Sequence, residues 1–484
     1  MRILLLNQYY VPDMAPTGQY LHDLARELVA QGHYVSVWCS RRSYNGGREL
    51  YPANEVIDGV EVKRIRALGF GRKSYLGKLA DYATFYSLLA RRCLLAGRRS
   101  FPKYDVVISL TTPPFIGLLG NVVAHRCGGQ SIHWVMDLYP DVMVAHGMVR
   151  KGGLRFKLLA PFTQWGFRHA DQIWALGQFQ RRKIERYLKK EKKKKEDGPK
   201  LVDIPLWRLL PEHHRDTPPT ATELEARRTE LGWNRDTFGI MYSGNMGLGH
   251  RFDTILAGIK NLFSNADSSA ENTKVAFVGG GKRKNQIETF LADNPLEQVG
   301  LHDYVPANQL AVNLQAADLH LICMHPAWQG LIVPSKLMNI LGSGRPVLYV
   351  GPRDNEIARW IEQARCGWIV DTDDVEGFAA AVSEARSNPE RCERRGRRGQ
   401  LFAAKAFARE INAKYLVDCV TNENLPTPPQ LPDFKDASSP GFNEEYNPEG
   451  TAPPIAAPDA PDTPDEPEIG KKPYLGKKVA VSSA

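Results

Sequence analysis

The sequence holds only seven cysteines, scattered at Cys39, Cys93, Cys127, Cys323, Cys366, Cys392 and Cys419. None forms a CxxC pair and none shows a metal-ligand spacing, which argues against zinc-ribbon or dithiol chemistry and for free thiols in a reducing cytoplasm. No run of eighteen apolar residues occurs, so no membrane-spanning helix is expected. The opening stretch MRILLLNQYYVPD has one basic residue and a short apolar run. It lacks the h-region and cleavage site of a signal peptide and reads as a first strand. The glycine spacings of two common nucleotide folds are missing as well. GxGxxG does not follow the first strand and GxxxxGK[ST] does not occur, so neither a dinucleotide site of the usual kind nor a P-loop is predicted.

What is present is a long chain of ordinary globular composition. At 484 residues it exceeds what one core usually organises, and two domains are expected. Hydrophobic residues make up 43% and charged residues 24%, values that suit a packed soluble protein. Lysine and arginine outnumber aspartate and glutamate by 63 to 54, a net charge of +9. That excess suits an anionic partner (nucleotide phosphate, a membrane surface or nucleic acid), and it equally suits simple solubility. Nucleic acid ranks last, because no aromatic platform or known motif stands beside the lysines.

Residues 1–200 alternate strand-like and helix-like patterns, as a parallel sheet requires. Strands are predicted at Arg2–Leu6, His33–Cys39, Val60–Ile65, Asp105–Leu110, Ser131–Asp137 and Asp171–Leu176. Thr17 is predicted to cap the first helix, whose inward face carries Leu21, Leu24, Ala25 and Leu28. Before it, Pro16-Thr17-Gly18 lets backbone approach a ligand at the carboxyl end of the sheet, although Gly18 also suits a plain turn. Asp137 stands where a strand gives way to a loop, and a carboxylate there could orient or deprotonate a hydroxyl. Asp141 reads rather as a helix cap.

A second α/β pattern begins at Leu201, with strands predicted at Phe238–Ser243, Lys274–Val278, Ala317–Cys323 and Pro346–Val350. Gly244, Asn245, Gly247 and Gly249 form a strand-to-helix loop whose amides could cradle phosphate, with His250 and Arg251 just beyond. Residues 279–284, GGGKRK, add three glycines with Lys282 and Arg283. The segment from His325 to Gly351 reads as a loop, a short helix, a tight turn and a buried strand. Ser335 is predicted to cap a helix opening at Lys336, with Leu337, Ile340 and Leu341 on one face and Lys336, Asn339 and Ser343 on another. Gly344 closes it. A lysine in that first turn makes either an anion site suited to a diphosphate or an incidental surface charge.

Taken in order, PDMAPTGQ, DLYPD, YSGNMG, FVGGG and PSKLMNILGSGRPV resemble the segments of family 4 glycosyltransferases (group 1), and DLYP resembles that of their exopolysaccharide and colanic-acid type members. The resemblance covers about residues 1–418. It implies an α/β protein of the GT-B fold, two facing Rossmann-like domains with a cleft between them. An N-terminal acceptor-side domain is expected at 1–200, a C-terminal donor-binding domain at 201–400, and a helix at 401–420 returning to the first. It also implies transfer of a sugar, with retention, from a UDP- or GDP-linked nucleotide sugar to a lipid-linked or oligosaccharide acceptor. The setting it implies is cell-surface polysaccharide synthesis, peripheral to the inner face of the cytoplasmic membrane.

In that family a glycine at the position of Gly18 faces the donor diphosphate, and the loop at Tyr304 to Pro306 lies beside the nucleobase. An acidic residue at the position of Glu356 stands near the donor, and a glutamate that bonds the ribose is here Asn339. The earlier glutamate of the pair is absent, with Gln329 the nearest polar residue, and the cations of the first glycine loop are replaced by Asn245, His250 and Arg251. Donor contacts are therefore expected from Gly18, Gly244, Asn245, Gly247, Lys282, Tyr304, Ser335, Asn339 and Glu356. The chemistry is expected from Asp137, Lys336 and Arg251, the two cations stabilising the departing diphosphate. No cofactor and no metal is expected, the protein's cations standing in for Mg²⁺. Two alternatives share the architecture: a nucleotide-sugar 2-epimerase, and a relative without chemistry that serves as a polysaccharide-assembly partner.

Residues 74–99 and 150–168 mix lysine and arginine with leucine and aromatics. Each suits either a core helix with a solvated edge or a helix lying on an anionic membrane. Residues 189–200, KKEKKKKEDGPK, are too polar to pack and read as a solvated linker. The proline-rich stretch 421–484, acidic in its middle, is predicted to be disordered.

Overall fold

A computed structural model describes residues 1–43, 50–66, 75–96, 98–99, 101–189, 198–209, 218–264, 272–422 and 424–432. The lysine run at 190–197 and the tail beyond 432 lie outside the described residues. The first sheet contains β1 (Arg2–Leu6), β2 (Tyr34–Ser40), β3 (Asn54–Ile57), β4 (Val60–Ile65), β5 (Val106–Ser109), β6 (Gln130–Trp134), β7 (Gln172–Ala175) and β8 (Lys200–Asp203). Their order is β3-β4-β2-β1-β5-β6-β7-β8, parallel throughout except for the edge strand β3. The central strands are buried along almost their whole length, as near-continuous apolar runs demand when both faces are covered. The β3–β4 hairpin was not among the expected elements. Its Asp58-Gly59 turn, at φ 49° and 78°, supplies the paired positive angles of a tight hairpin.

The second sheet contains β9 (Phe238–Ser243), β10 (Thr273–Val278), β11 (Val299–His302), β12 (Leu319–Cys323), β13 (Val347–Val350) and β14 (Gly367–Val370), in the all-parallel order β11-β10-β9-β12-β13-β14. Tyr242, Phe252 and Phe277 pack edge to face within its core.

Two expectations shift at the seams. Strand β8 lies at the expected boundary yet pairs with β7, so the first lobe runs past residue 200. The chain stays with that lobe through Trp207, whose indole donates to Asp23 at 2.7 Å and whose ring meets Tyr20 and Trp134. The returning stretch is two helices, Pro389–Ala406 and Arg409–Thr421, rather than one. The second rejoins the first lobe: Gln172 donates to the Cys419 carbonyl at 2.8 Å, and Arg409 pairs with Asp23 at 3.5 Å. The chain thus crosses between lobes twice.

Thr17 does not cap the first helix. That helix spans Pro16–Ala30 with Ala15 at the cap position and no side-chain cap bond. Proline suits the first helical position, where its missing N–H is not needed, and this moves the start ahead of Thr17.

Candidate active site

The loops at the carboxyl ends of β9 and β10 stack on each other, and glycine makes the stacking possible. Gly279 and Gly281 hold φ of 133° and 135°, and a Cβ on either would fall within 2.7 Å of the β9 loop: Gly244 O in one case, Asn245 Oδ1 and Met246 O in the other. Met246 N–H donates to Gly280 O at 2.7 Å, and Arg283 N–H donates to Met246 O at 2.8 Å. Tyr304 closes one side of the pair, its hydroxyl donating to Gly280 O at 2.9 Å while more than half of the residue stays exposed.

Lys336 enters this structure from the next strand along. Its segment leaves β12 at Cys323 and ends in the short helix Lys336–Gly342. The ammonium donates to the Tyr242 hydroxyl at 2.6 Å and reaches the Asn245 carbonyl at 3.4 Å. The Tyr242 hydroxyl in turn donates to Asn245 O at 2.9 Å, and the ammonium sits 3.9 Å from the ring centroid. Gly244, at φ 116°, leaves room for the lysine tip: a Cβ there would stand 3.6 Å from Nζ. Among the described residues no carboxylate pairs with Lys336. Burial pulls its pKa from 10.5 down to about 7. A desolvated cation without a counter-charge has much to gain from an anion.

Around it, Ser335 occupies the cap position of the helix as expected, but its hydroxyl makes no cap bond. The Asn339 Oδ1 is buried and has no hydrogen-bond partner among the described residues. Gly247 turns the β9 loop, with its carbonyl accepting from the His250 N–H at 3.1 Å. His250 hydrogen-bonds the Cys323 carbonyl through Nδ1 at 2.8 Å, and burial, aided by Lys336, lowers its pKa to about 3. The imidazole is therefore neutral and brings no cation.

Arg251 departs from its expected role. Its guanidinium is held by Asp373 at 2.7 Å and Asp253 at 3.1 Å, so the trio carries a net negative charge. Glu356 departs too. It is 3% exposed, pairs with Arg359 at 2.7 Å and accepts from Phe179 N–H of the first lobe at 3.2 Å. This carboxylate is engaged in tying lobes together. Lys282 is exposed, whereas its neighbour Arg283 is half-buried, and its Nε has no partner among the described residues. Asp371 and Asp373 carry an Asp-x-Asp spacing, and both face arginines, Asp373 meeting Arg251 at 2.7 Å and Asp371 meeting Arg353 at 3.2 Å. Among the described residues no group of three or more His, Cys, Asp or Glu could hold a metal ion.

In the first lobe Gly18 lies buried in the opening turn of its helix, where a Cβ would press on Tyr9 O at 3.0 Å and Tyr10 Cα at 3.1 Å. The glycine lets the β1 loop lie against the helix. Asp137 lies in a bend just past β6, with its N–H donating to Thr111 at 3.0 Å. It borders a largely apolar pocket with Phe115, Tyr139, Phe162 and Phe167 in the walls. Burial raises its pKa from 3.8 to about 6. A carboxylate so poised can take a proton from a hydroxyl near neutral pH. Asp141 opens the helix Asp141–Ala145 and accepts from the Tyr187 hydroxyl.

The two sets of loops belong to lobes that touch. Besides Glu356 and Phe179, Gln180 donates to Leu331 O at 3.4 Å, and His146 meets Trp328 edge to face at 4.6 Å. All these groups follow carboxyl ends of parallel strands, where open α/β sheets bind ligands. Tyr242 and Arg283 join the constellation although neither stands on the expected list; Arg283 had a local signal in GGGKRK, Tyr242 had none.

Residues 17–192 match the family described as Glycosyl transferase 4-like domain, and residues 237–388 match that described as Glycosyl transferases group 1. The probable glycosyltransferase WbjE of Pseudomonas aeruginosa is 24% identical over 287 residues, spanning 58% of this chain and 66% of that protein. The putative colanic acid biosynthesis glycosyl transferase WcaI of Escherichia coli (strain K12) is 24% identical over 404 residues, spanning 80% of this chain and 92% of its own. Among solved structures, HepE of Anabaena in complex with UDP-glucose superimposes with a TM-score of 0.58 at 12% identity, over 87% of this chain and 99% of that one. At such identity the likeness is one of fold.

Proposed function

The chain belongs to the group 1 glycosyltransferases and has their two-lobed GT-B fold, and on that footing we propose that it moves a sugar from a nucleotide diphosphate sugar to a lipid-linked or saccharide acceptor. The transfer proceeds with retention, in cell-surface or extracellular polysaccharide synthesis, on the cytoplasmic face of a membrane. The strongest support is the Lys336 ammonium, desolvated, without a carboxylate partner among the described residues and set against the first of two stacked glycine loops. Fixed charge of this kind stabilises a departing diphosphate more in the transition state than in the bound donor. Arg283 is the second cation of the site, in place of Arg251. The orphaned Asn339 Oδ1 and the uncommitted Ser335 hydroxyl suit sugar hydroxyls and phosphate oxygen. Asp137 orients or deprotonates the acceptor hydroxyl from the opposite lobe. The UDP-glucose seen in HepE supports a nucleotide sugar, and the name of WcaI supports a polysaccharide setting.

Calorimetric titration with UDP and with GDP tests the donor half, and binding of neither would refute it. Radiolabelled nucleotide sugars incubated with membrane lipid extract test the acceptor half, with label in the lipid fraction the expected outcome. Activity that survives EDTA is expected from cations supplied by the protein. Epimerisation of the donor without any acceptor would instead identify the 2-epimerase of this architecture. Tight donor binding without turnover would favour an assembly partner.

A further inference from the structure

The helix Leu154–Arg168 turns an apolar stripe outward. Leu154, Leu158, Phe162 and Trp165 are 75%, 61%, 51% and 44% exposed, while Thr163, Gly166 and Phe167 form the buried face. At about 100° per residue the four exposed side chains fall within roughly 80° of one another. Water-exposed apolar residues scattered singly need no explanation, but a leucine-phenylalanine-tryptophan row along one helix does. Arg155 and Lys157 flank the row on either side, and Arg150 and Lys151 precede it, all exposed. No aspartate or glutamate occurs between Asp141 and Asp171.

We propose that this face is the part of the enzyme that inserts into an anionic bilayer, lying flat in the headgroup region with its leucines and aromatic rings among the acyl chains. This deepens the membrane reading above by naming the surface that meets the lipid. A helix lying in the interface needs an apolar face, cations at its margins and little else. Charge selects the occupant: a second copy seated on this face would bring its four cations against four others, whereas anionic headgroups neutralise them. The same helix forms a wall of the Asp137 pocket through Phe162, Thr163, Gly166 and Phe167. Insertion therefore sets the pocket mouth at the bilayer surface, where the hydroxyl of a lipid-linked acceptor is presented.

The test is sedimentation of the full chain with phosphatidylcholine vesicles containing 30 mol% phosphatidylglycerol or none. Wild type is expected to bind the anionic vesicles at low salt at least tenfold more tightly than the neutral ones. The double variant Leu158→Gln/Phe162→Ser is expected to lose at least tenfold in that affinity, and Arg155→Ala/Lys157→Ala several-fold with a weaker salt dependence. Val56→Ser, an exposed valine on β3, is the control and is expected to bind as wild type. Melting curves confirm folding, and an environment-sensitive dye on Leu158→Cys gives an independent signal, shifting to the blue only if the helix inserts. Wild type that ignores anionic vesicles, stripe variants that bind unchanged, or light scattering that shows a dimer dissociated by the stripe substitutions would each overturn the proposal. UDP binding is measured on the same samples, so a failure of vesicle binding is distinguished from a failure of the transferase assignment.

Discussion

Donor affinity should fall steeply with rising pH, and Lys336 sets both the midpoint and the slope. Burial lowers its pKa from 10.5 to about 7, so at pH 8 only about a tenth of the free enzyme carries the ammonium. A bound diphosphate favours the charged form and lifts that pKa well above 8. Binding above pH 7 then draws a proton from solution, about 0.1 per site at pH 6, about 0.5 at pH 7 and about 0.9 at pH 8. The Kd for UDP-glucose, whose phosphates do not titrate in this range, should be flat below pH 6.5 and weaken toward about tenfold per pH unit above 7. Calorimetry in two buffers of different ionisation enthalpy counts the protons directly. Lys336→Ala should bind more weakly with no proton uptake, and Lys336→Arg should retain charge without the slope, because guanidinium does not titrate. Affinity independent of pH in the wild type, or proton uptake undiminished in Lys336→Ala, would refute the reasoning. The unliganded protein carries the matching signature: its unfolded chain holds this proton more tightly, so stability rises with pH from about 7 toward 10.5.

Asp137→Asn should abolish transfer yet stabilise the fold at pH 7. A carboxyl raised from 3.8 to about 6 is favoured in the folded state only when protonated, a penalty of up to about 3 kcal/mol at neutral pH that vanishes below pH 3.8 and is measurable by urea unfolding at both pH values. A destabilised variant at pH 7 would contradict that environment. Gly281→Ala forces a Cβ against backbone and Asn245 at φ 135° and should destabilise by about 1–3 kcal/mol while weakening UDP binding. Gly280→Ala, meeting only the Tyr304 ring at 3.1 Å, should be milder in both respects, and an equal effect in calorimetry would argue against the stacked-loop account. Glu356→Ala strands Phe179 N–H and Arg359 and should lower stability by about 1–3 kcal/mol in denaturant titration; a change below 0.5 kcal/mol would show that tie to be idle.

Strands β1 and β9 match their expected bounds because each is a largely apolar run closed by a polar residue or glycine, and β4 because its valines alternate with charged residues after the Gly59 turn. The missed strands β3, β8, β11 and β14 are short, and the first three are only partly buried, so hydrophobic pattern alone gives them little contrast. The place of Lys336 at the start of its helix was legible, as was the crowding of glycines after β9 and β10. Charge balance was not. Arg251 looks like a free cation until Asp373, distant in sequence, is folded onto it, and Glu356 looks available until Phe179 and Arg359 claim it. Tyr242 is one apolar-strand residue among others until Lys336 arrives at its hydroxyl.

The stretch from Trp328 to Lys336 touches the first lobe at one end, through His146 and Gln180, and holds the ammonium at the other. A single stretch of nine residues thus joins the seam between the lobes to the buried cation, so any shift of one lobe against the other would bear on the segment that carries the charge.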